Sequence, residues 1–222
     1  MGEQITLTAS DGVKIGAYKA VPSGTPRGGI VVVQEIFGVN PHIRKVADGY
    51  AAEGYLVVAP ALFDRMEPDV ELGYTGEDYN KAINFMNKID KEKALLDIAA
   101  AVAAASSAGK VGIVGYCFGG LMSFTAAARV PGLAAAVAYY GGGIAQVADL
   151  QLKVPLLLHF GERDNLIPPA DVAKIHAAHP NVPIYTYPAG HGFNCDARSS
   201  YDKPSADLAL SRSLAFFSEH LR

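Results

Sequence analysis

The sequence predicts an α/β fold in which a mostly parallel sheet is covered by helices on both faces. Apolar, often β-branched runs recur along the chain and alternate with segments in which apolar residues recur at helical spacing. Unbroken apolar runs are typical of parallel strands that are buried on both faces. Two alternating segments around Ser10-Asp11-Gly12 precede this pattern and indicate an antiparallel hairpin. Together these observations predict a three-layer sandwich.

Strands are expected where apolar residues run together between turn residues. The hairpin pairs residues 5–8 with residues 13–18, on either side of the turn. The later strands are expected at residues 30–33, 55–58, 111–114, 135–140, 154–158 and 183–187.

Helices are expected between these strands. Asn40 followed by Pro41 indicates an N-cap and a proline at the first helical position, so a helix is expected from there to about Glu53. Further segments are predicted to be helical from the spacing of their apolar residues or from their small apolar composition. These helices are expected at residues 79–89, 95–102, 120–129, 171–179 and 210–221.

Composition narrows the classes of protein. The chain has 222 residues, half of them hydrophobic, and its glycines and prolines are scattered as turn residues, so residues 1–222 are expected to form one domain. The formal net charge of −3 and the lack of a basic block argue against nucleic acid and anionic membranes as partners. Two cysteines, no signal peptide and no apolar run of about 18 residues predict a cytoplasmic protein. A monomer or a weak dimer is expected.

The sharpest local feature is the segment Gly115-Tyr116-Cys117-Phe118-Gly119, which joins a buried strand to a helix. In a nucleophile elbow, small residues two before and two after the nucleophile allow a tight strand-to-helix turn. Here the residue at that position is Cys117, at a helix N-terminus that favours a thiolate or an oxyanion. The alternative is a glycine-rich turn with a buried, inert cysteine.

Two later residues have the chain order that this elbow requires. A hydrolase of this architecture presents Asp or Glu, and then His, each after a later strand. Asp164 follows the predicted strand at 154–158, and His191 follows the one at 183–187. Either residue alone is well explained as a turn or loop residue. Together, at the carboxyl ends of strands, they predict a Cys–His–Asp triad.

The segment Gln34-Glu35-Ile36-Phe37-Gly38 directly follows the strand at 30–33, where an α/β-hydrolase places its second oxyanion donor. The backbone amides of Ile36 and Phe118 are the candidates for this oxyanion hole. Glu35 is either a base for the Cys117 thiol, an acid that keeps the resting thiol protonated, or a solvated loop acid.

These motifs, together with Tyr139-Tyr140-Gly141 and Gly190-His191-Gly192-Phe193, resemble the dienelactone hydrolase (carboxymethylenebutenolidase) family of the α/β-hydrolase superfamily. The resemblance implies a Cys117–His191–Asp164 triad, with Glu35 hydrogen-bonded to the resting thiol and accepting its proton when substrate arrives. It also implies hydrolysis of an enol-lactone to an open-chain keto acid, with neither a metal nor an organic cofactor.

The sequence departs from this family at two positions. Members hold the substrate carboxylate with two arginines, and the matching positions here are Tyr79 and Cys195. Arg198 and Lys81 lie near these positions in the sequence. They either replace the missing cations or, as the simpler interpretation has it, are ordinary surface residues. The candidate substrate-binding residues are Phe37, Tyr79, Tyr140, Phe193 and Arg198.

The function expected from these residues is cleavage of a small ester or enol-lactone through a thioester acyl-enzyme on Cys117. A broad carboxylesterase or a thioesterase on the same scaffold is the alternative. A redox-sensing or ligand-binding module is a further alternative. It is disfavoured because a sensor needs a reactive thiol but neither Asp164 nor His191.

Overall fold

The computed structural model describes residues 2–222, which form an eight-stranded sheet and six α-helices. The strands are β1 (Glu3–Thr8), β2 (Lys14–Ala20), β3 (Gly29–Val33), β4 (Leu56–Pro60), β5 (Val111–Tyr116), β6 (Leu133–Tyr139), β7 (Leu156–Gly161) and β8 (Ile184–Tyr187). The helices are α1 (Pro41–Ala52), α2 (Gly76–Lys88), α3 (Lys91–Ala105), α4 (Phe118–Arg129), α5 (Pro169–Ala178) and α6 (Lys203–His220).

The strand order in the sheet is β1-β2-β4-β3-β5-β6-β7-β8. β1 and β2 form an antiparallel hairpin that pairs antiparallel with β4, and every later pairing is parallel. The predicted fold class and the predicted hairpin are therefore confirmed. Because β3 to β8 run in one direction, their carboxyl ends meet at one edge of the sheet.

The central strands form the core of the protein. Every residue of β3, β4, β5 and β7 is buried, as the unbroken apolar runs predict. Tyr50 of α1 and Phe217 of α6 meet edge to face on one side of the sheet, with ring centroids 6.1 Å apart. α3 and α4 pack together on the other side, where Arg129 forms an ion pair with Glu92. Each fully buried aliphatic side chain contributes roughly 1.5–3 kcal/mol to this core.

The predicted start of α1 is confirmed. The side chain of Asn40 accepts a hydrogen bond from the backbone amide of Ile43 at 3.2 Å, and Pro41 occupies the first helical position. This cap ends the loop that follows β3, and so fixes the segment that contains Glu35 at the edge of the sheet.

Several element boundaries differ from the prediction, and the largest difference is at α6, which begins at Lys203 rather than at residue 210. Two differences near the sheet edge have local reasons. α4 begins at Phe118 rather than at residue 120, because the strand-to-helix turn is completed within one residue, Cys117. β6 ends at Tyr139, because Tyr140 leaves the sheet with φ 36°. Among residues 2–222, no helix combines the length and the apolar character needed to cross a membrane.

Candidate active site

The predicted catalytic side chains follow four parallel strands at one edge of the sheet. Glu35 follows β3, Cys117 follows β5, Asp164 follows β7 and His191 follows β8. This is the edge at which open α/β sheets place their binding sites. The expectation that both Asp164 and His191 lie just beyond strand ends agrees with the observed elements.

Cys117 has backbone angles φ 56° and ψ −115°, outside the regions that non-glycine residues ordinarily occupy. Its neighbours make this turn sterically feasible. A Cβ on Gly115 would lie 1.9 Å from the carbonyl oxygen of Gly119, and one on Gly119 would lie 2.4 Å from that of Val33. The strained turn between two obligatory glycines is the geometry predicted for a nucleophile elbow.

The turn places Cys117 at the N-terminus of α4, where the helix dipole favours negative charge. Phe118 is the first residue of this helix, so its amide has no acceptor within the helix. Ile36, the other candidate oxyanion donor, lies buried in the turn after β3. Both amides thus belong to segments that border Cys117 at the sheet edge.

Asp164 and His191 form a buried hydrogen-bonded pair. Nδ1 of His191 donates to Oδ2 of Asp164 at 2.8 Å, and the Leu166 amide donates to the other carboxylate oxygen, also at 2.8 Å. The side chain of His191 is 9% exposed, and that of Asp164 is 0% exposed. Because Nδ1 is bound in this way, Nε2 is the nitrogen left for chemistry, and it has no hydrogen-bond partner within residues 2–222.

The surroundings of His191 favour its protonated form. Burial alone lowers the pKa of an imidazole, but the hydrogen bond to Asp164 and the neighbouring Cys117 thiol outweigh it and raise the pKa of His191 to about 10. The ring is therefore expected to be an imidazolium at neutral pH, ready to donate a proton.

We expect this raised pKa to make stability depend on pH. Because the pKa is higher in the folded state than in the unfolded state, the stabilisation is complete below about pH 6.5 and is lost as the pH rises through about 10. The free energy of unfolding, taken relative to His191→Gln, is expected to fall over this range. The ring resonances of His191 should titrate at its upper end, and Cys117→Ser should lower the midpoint. A ring that titrates near pH 6.5 in the wild-type protein would contradict this expectation.

Glu35 is not a solvated loop acid. It is 1% exposed, and Nη1 of Arg198 donates to its Oε1 at 3.3 Å, while Oε2 has no partner within residues 2–222. The implied hydrogen bond between Glu35 and the resting Cys117 thiol is therefore not observed within these residues, because Arg198 holds the carboxylate instead. The guanidinium of Arg198 also lies over the rings of Phe37 and Tyr74, at 5.9 and 5.8 Å from their centroids. Arg198 is therefore a partly buried cation of the site rather than a surface residue.

The aromatic candidates are placed at different depths. Tyr140 and Phe193 are fully buried, and the Tyr140 ring lies 5.2 Å from that of His191. The hydroxyl of Tyr140 is buried without a partner among residues 2–222, which makes it a free hydrogen-bonding group. Phe37 is also buried, whereas Tyr79 is 40% exposed, with its ring 6.2 Å from that of Phe37.

A cavity of about 510 Å³ opens beside these groups. Arg198 and His191 line it, together with the loop residues Tyr74, Thr75, Arg163, Asn165, Leu166, Gly190, Ala197, Ser199 and Ser200. A cavity of this size is suited to a small organic molecule. Lys81, the other nearby cation, lies on the surface, where it forms an ion pair with Glu67 at 2.6 Å.

Two residues of the site carry no sequence signal. Tyr74 packs on Phe37 with ring centroids 4.5 Å apart, yet it lies in a loop without periodicity. His42 lies on α1 and is buried close to Glu35. These residues reach the site only because the fold brings together segments that are distant in the chain.

The geometry agrees with what the chain is similar to. The model of the dienelactone hydrolase family matches residues 15–221. Carboxymethylenebutenolidase from Pseudomonas putida is 34% identical, over 96% of this chain and 95% of its own, and carboxymethylenebutenolidase 1 from Cupriavidus pinatubonensis is 29% identical over 96% and 95%. A solved structure described as a dienelactone hydrolase from Klebsiella pneumoniae superposes on this chain with a TM-score of 0.85. The two chains are 31% identical, and the match covers 98% of this chain and 99% of that one. Because the family model matches nearly the whole chain and a relative of 34% identity covers it almost completely, the chain belongs to the dienelactone hydrolase family.

Proposed function

We propose that the protein hydrolyses an ester or enol-lactone bond in a small substrate that carries a carboxylate, through a thioester acyl-enzyme on Cys117. The observation that carries this proposal is the 2.8 Å hydrogen bond between His191 and Asp164, beside a cysteine on a positive-φ turn. This arrangement is the acid–base group and orienting carboxylate that formation and hydrolysis of a thioester acyl-enzyme require.

In the first half-reaction, Glu35 accepts the proton of the Cys117 thiol and the thiolate bonds to the carbonyl carbon. The carbonyl electrons move onto oxygen, and the Ile36 and Phe118 amides stabilise this oxyanion. Each such donor lowers the barrier by about 3–4 kcal/mol. The intermediate then collapses, the carbon–oxygen bond breaks and the His191 imidazolium protonates the leaving oxygen.

In the second half-reaction, neutral His191 removes a proton from water, whose oxygen bonds to the acyl carbon of the thioester. The carbon–sulfur bond breaks, and Cys117 recovers its proton from Glu35. Every proton taken up is thus returned. Asp164 holds the ring of His191 in the orientation required by both steps.

Arg198 is proposed to bind the substrate carboxylate. Its guanidinium reaches Glu35 with one nitrogen, lies over two aromatic rings and lines the 510 Å³ cavity. A second carboxylate competes with Glu35 for this cation, since a guanidinium binds planar carboxylates in bidentate fashion. Substrate binding therefore loosens the hold on Glu35 and frees it to accept the thiol proton.

We expect Arg198→Gln to lower kcat/KM for a carboxylate-bearing lactone by about 10–100-fold, the effect of losing a hydrogen bond to a charged group. The loss on a neutral p-nitrophenyl ester should be at least about tenfold smaller, because that substrate offers no anion. Lys81→Gln is the matched control, since it removes an exposed cation outside the cavity. Equal losses on both substrates would contradict carboxylate recognition by Arg198.

A broad carboxylesterase or thioesterase is the second candidate function. It is favoured because Tyr79 and Cys195 occupy the positions at which basic residues were expected. The test is a kcat/KM comparison across a dienelactone, p-nitrophenyl esters and acyl-CoA thioesters. The lactone should be the best substrate. A preference for neutral esters or for thioesters would establish the second function instead.

A further inference from the structure

Glu35 also belongs to a cluster of three side chains of the kind that bind metals. A carboxylate oxygen of Glu35, a ring nitrogen of His42 and the sulfur of Cys195 all lie within 4.8 Å of one another. All three residues are buried, with exposures of 1%, 7% and 0%. The loop after β3, the start of α1 and the loop after β8 supply one residue each.

Two polar atoms in this cluster are left without partners. Oε2 of Glu35 and Nε2 of His42 are buried and form no hydrogen bond within the described part of the chain. A buried polar atom without a partner is destabilising, so a pair of them beside a thiol calls for a ligand.

The other nitrogen of His42 is held as in a metal site. Its Nδ1 lies 3.2 Å from Oδ1 of Asp196. The other carboxylate oxygen of Asp196, Oδ2, forms an ion pair with Lys45. A metal-binding histidine almost always donates its second ring N–H to a carboxylate, which orients the free nitrogen toward the ion. This contact leaves Nε2 as the ligand atom of His42.

We propose that Glu35, His42 and Cys195 bind a divalent transition-metal ion of the zinc class. Oxygen, imidazole nitrogen and thiolate sulfur are all ligands of zinc, with bonds of about 2.0–2.3 Å that set neighbouring ligand atoms about 3.3–3.8 Å apart. The cluster therefore needs to contract by no more than about 1.5 Å. Three protein ligands leave the fourth position to water.

The local charges suit a dication. The Cys195 sulfur lies beside the Glu35 carboxylate, so a thiolate at this position requires a cation to offset two neighbouring negative charges. One carboxylate and one thiolate neutralise both charges of the ion. Arg198 pairs with Oε1 of Glu35, which leaves Oε2 for the metal. His42 and Asp196 also line a cavity of about 200 Å³, which provides a route for entry.

Metal binding has a consequence that rests on the proposed function. A Glu35 carboxylate that ligates a metal cannot accept the Cys117 proton, so an occupied site inhibits hydrolysis. The binding itself does not depend on hydrolase activity, and the two parts are measured separately.

The binding test uses the full chain, stripped with a chelator and titrated with zinc chloride by calorimetry and native mass spectrometry. One equivalent is expected to bind. Cys195→Ser and His42→Gln should each weaken binding at least about tenfold, and Asp196→Asn by about 10–100-fold. Cys117→Ser should bind like the wild type. Cobalt bound to the wild-type protein should show thiolate charge-transfer absorption, a readout that needs no variant to fold.

Two outcomes would overturn the site: no bound equivalent together with no cobalt–thiolate band, or loss of binding in Cys117→Ser but not in Cys195→Ser. In activity assays, zinc should inhibit the wild type and a chelator should restore its rate. Cys195→Ser should keep its own zinc-free rate when zinc is added. Stoichiometric binding without inhibition would overturn the consequence for Glu35. If no substrate is turned over, the binding data still decide the site.

Discussion

Replacing Cys117 by alanine should lower kcat/KM for esters and lactones by about 10³–10⁶-fold, the range found when a catalytic nucleophile is removed. The oxyanion donors and the cavity remain, so a small residual rate is expected. The variant should fold, because Gly115 and Gly119 still allow the tight turn that a residue at 117 requires.

The same experiment detects the intermediate. With a slowly hydrolysed ester, intact-mass spectrometry of the wild type should show one acyl group on the peptide that contains Cys117. Cys117→Ala should show none, while its thermal unfolding stays cooperative. Full activity in a folded Cys117→Ala variant, or an acyl group on another residue, would refute the thioester mechanism.

Asp164→Asn should lower kcat/KM by about 10⁴-fold with little change in the fold, as expected when an orienting carboxylate becomes an amide. Asp164 accepts from Nδ1 of His191 at 2.8 Å, and its second oxygen is held by the Leu166 amide. In the variant, the amide NH₂ can donate to Nδ1, which moves the ring proton to Nε2. The imidazole then has the wrong tautomer to act as a base toward water.

The check combines kinetics with a titration of the ring. Because the contact with Asp164 helps to raise the pKa of His191, the variant should titrate well below the wild-type midpoint of about 10. Asp149→Asn is the matched control, since Asp149 is an exposed loop residue that does not line the 510 Å³ cavity. An Asp164→Asn enzyme within tenfold of the wild type would show that His191 acts without this partner.

The presence of the strands and their mostly parallel direction were predictable because they depend on short-range patterns. Apolar runs of β-branched residues indicated buried parallel strands, and the glycines around Cys117 indicated a turn that few other residues allow. The order Cys117, Asp164, His191 followed from reading which residue comes directly after each strand. Parallel strands then bring these positions to one edge, whatever the lengths of the connections.

Burial and charge pairing could not be predicted in the same way. The contact between Glu35 and Arg198 joins residues 163 positions apart, and no periodicity connects them. From the sequence alone, Glu35 could therefore be a solvated acid and Arg198 a surface cation. Packing removed water from both, and a buried carboxylate requires a cation or hydrogen-bond donors.

The sequence alone determined the fold class, the hairpin, the strained turn at Cys117 and the strand ends that carry Asp164 and His191, because local sterics and hydrophobic periodicity specify them. Only the tertiary structure decided which groups surround the thiol. It brought His42 and Cys195 to Glu35 and left two polar atoms without partners. The physical reason is that the hydrogen-bond partners and the electrostatic environment of a group depend on every segment packed around it. These segments are distant in the chain.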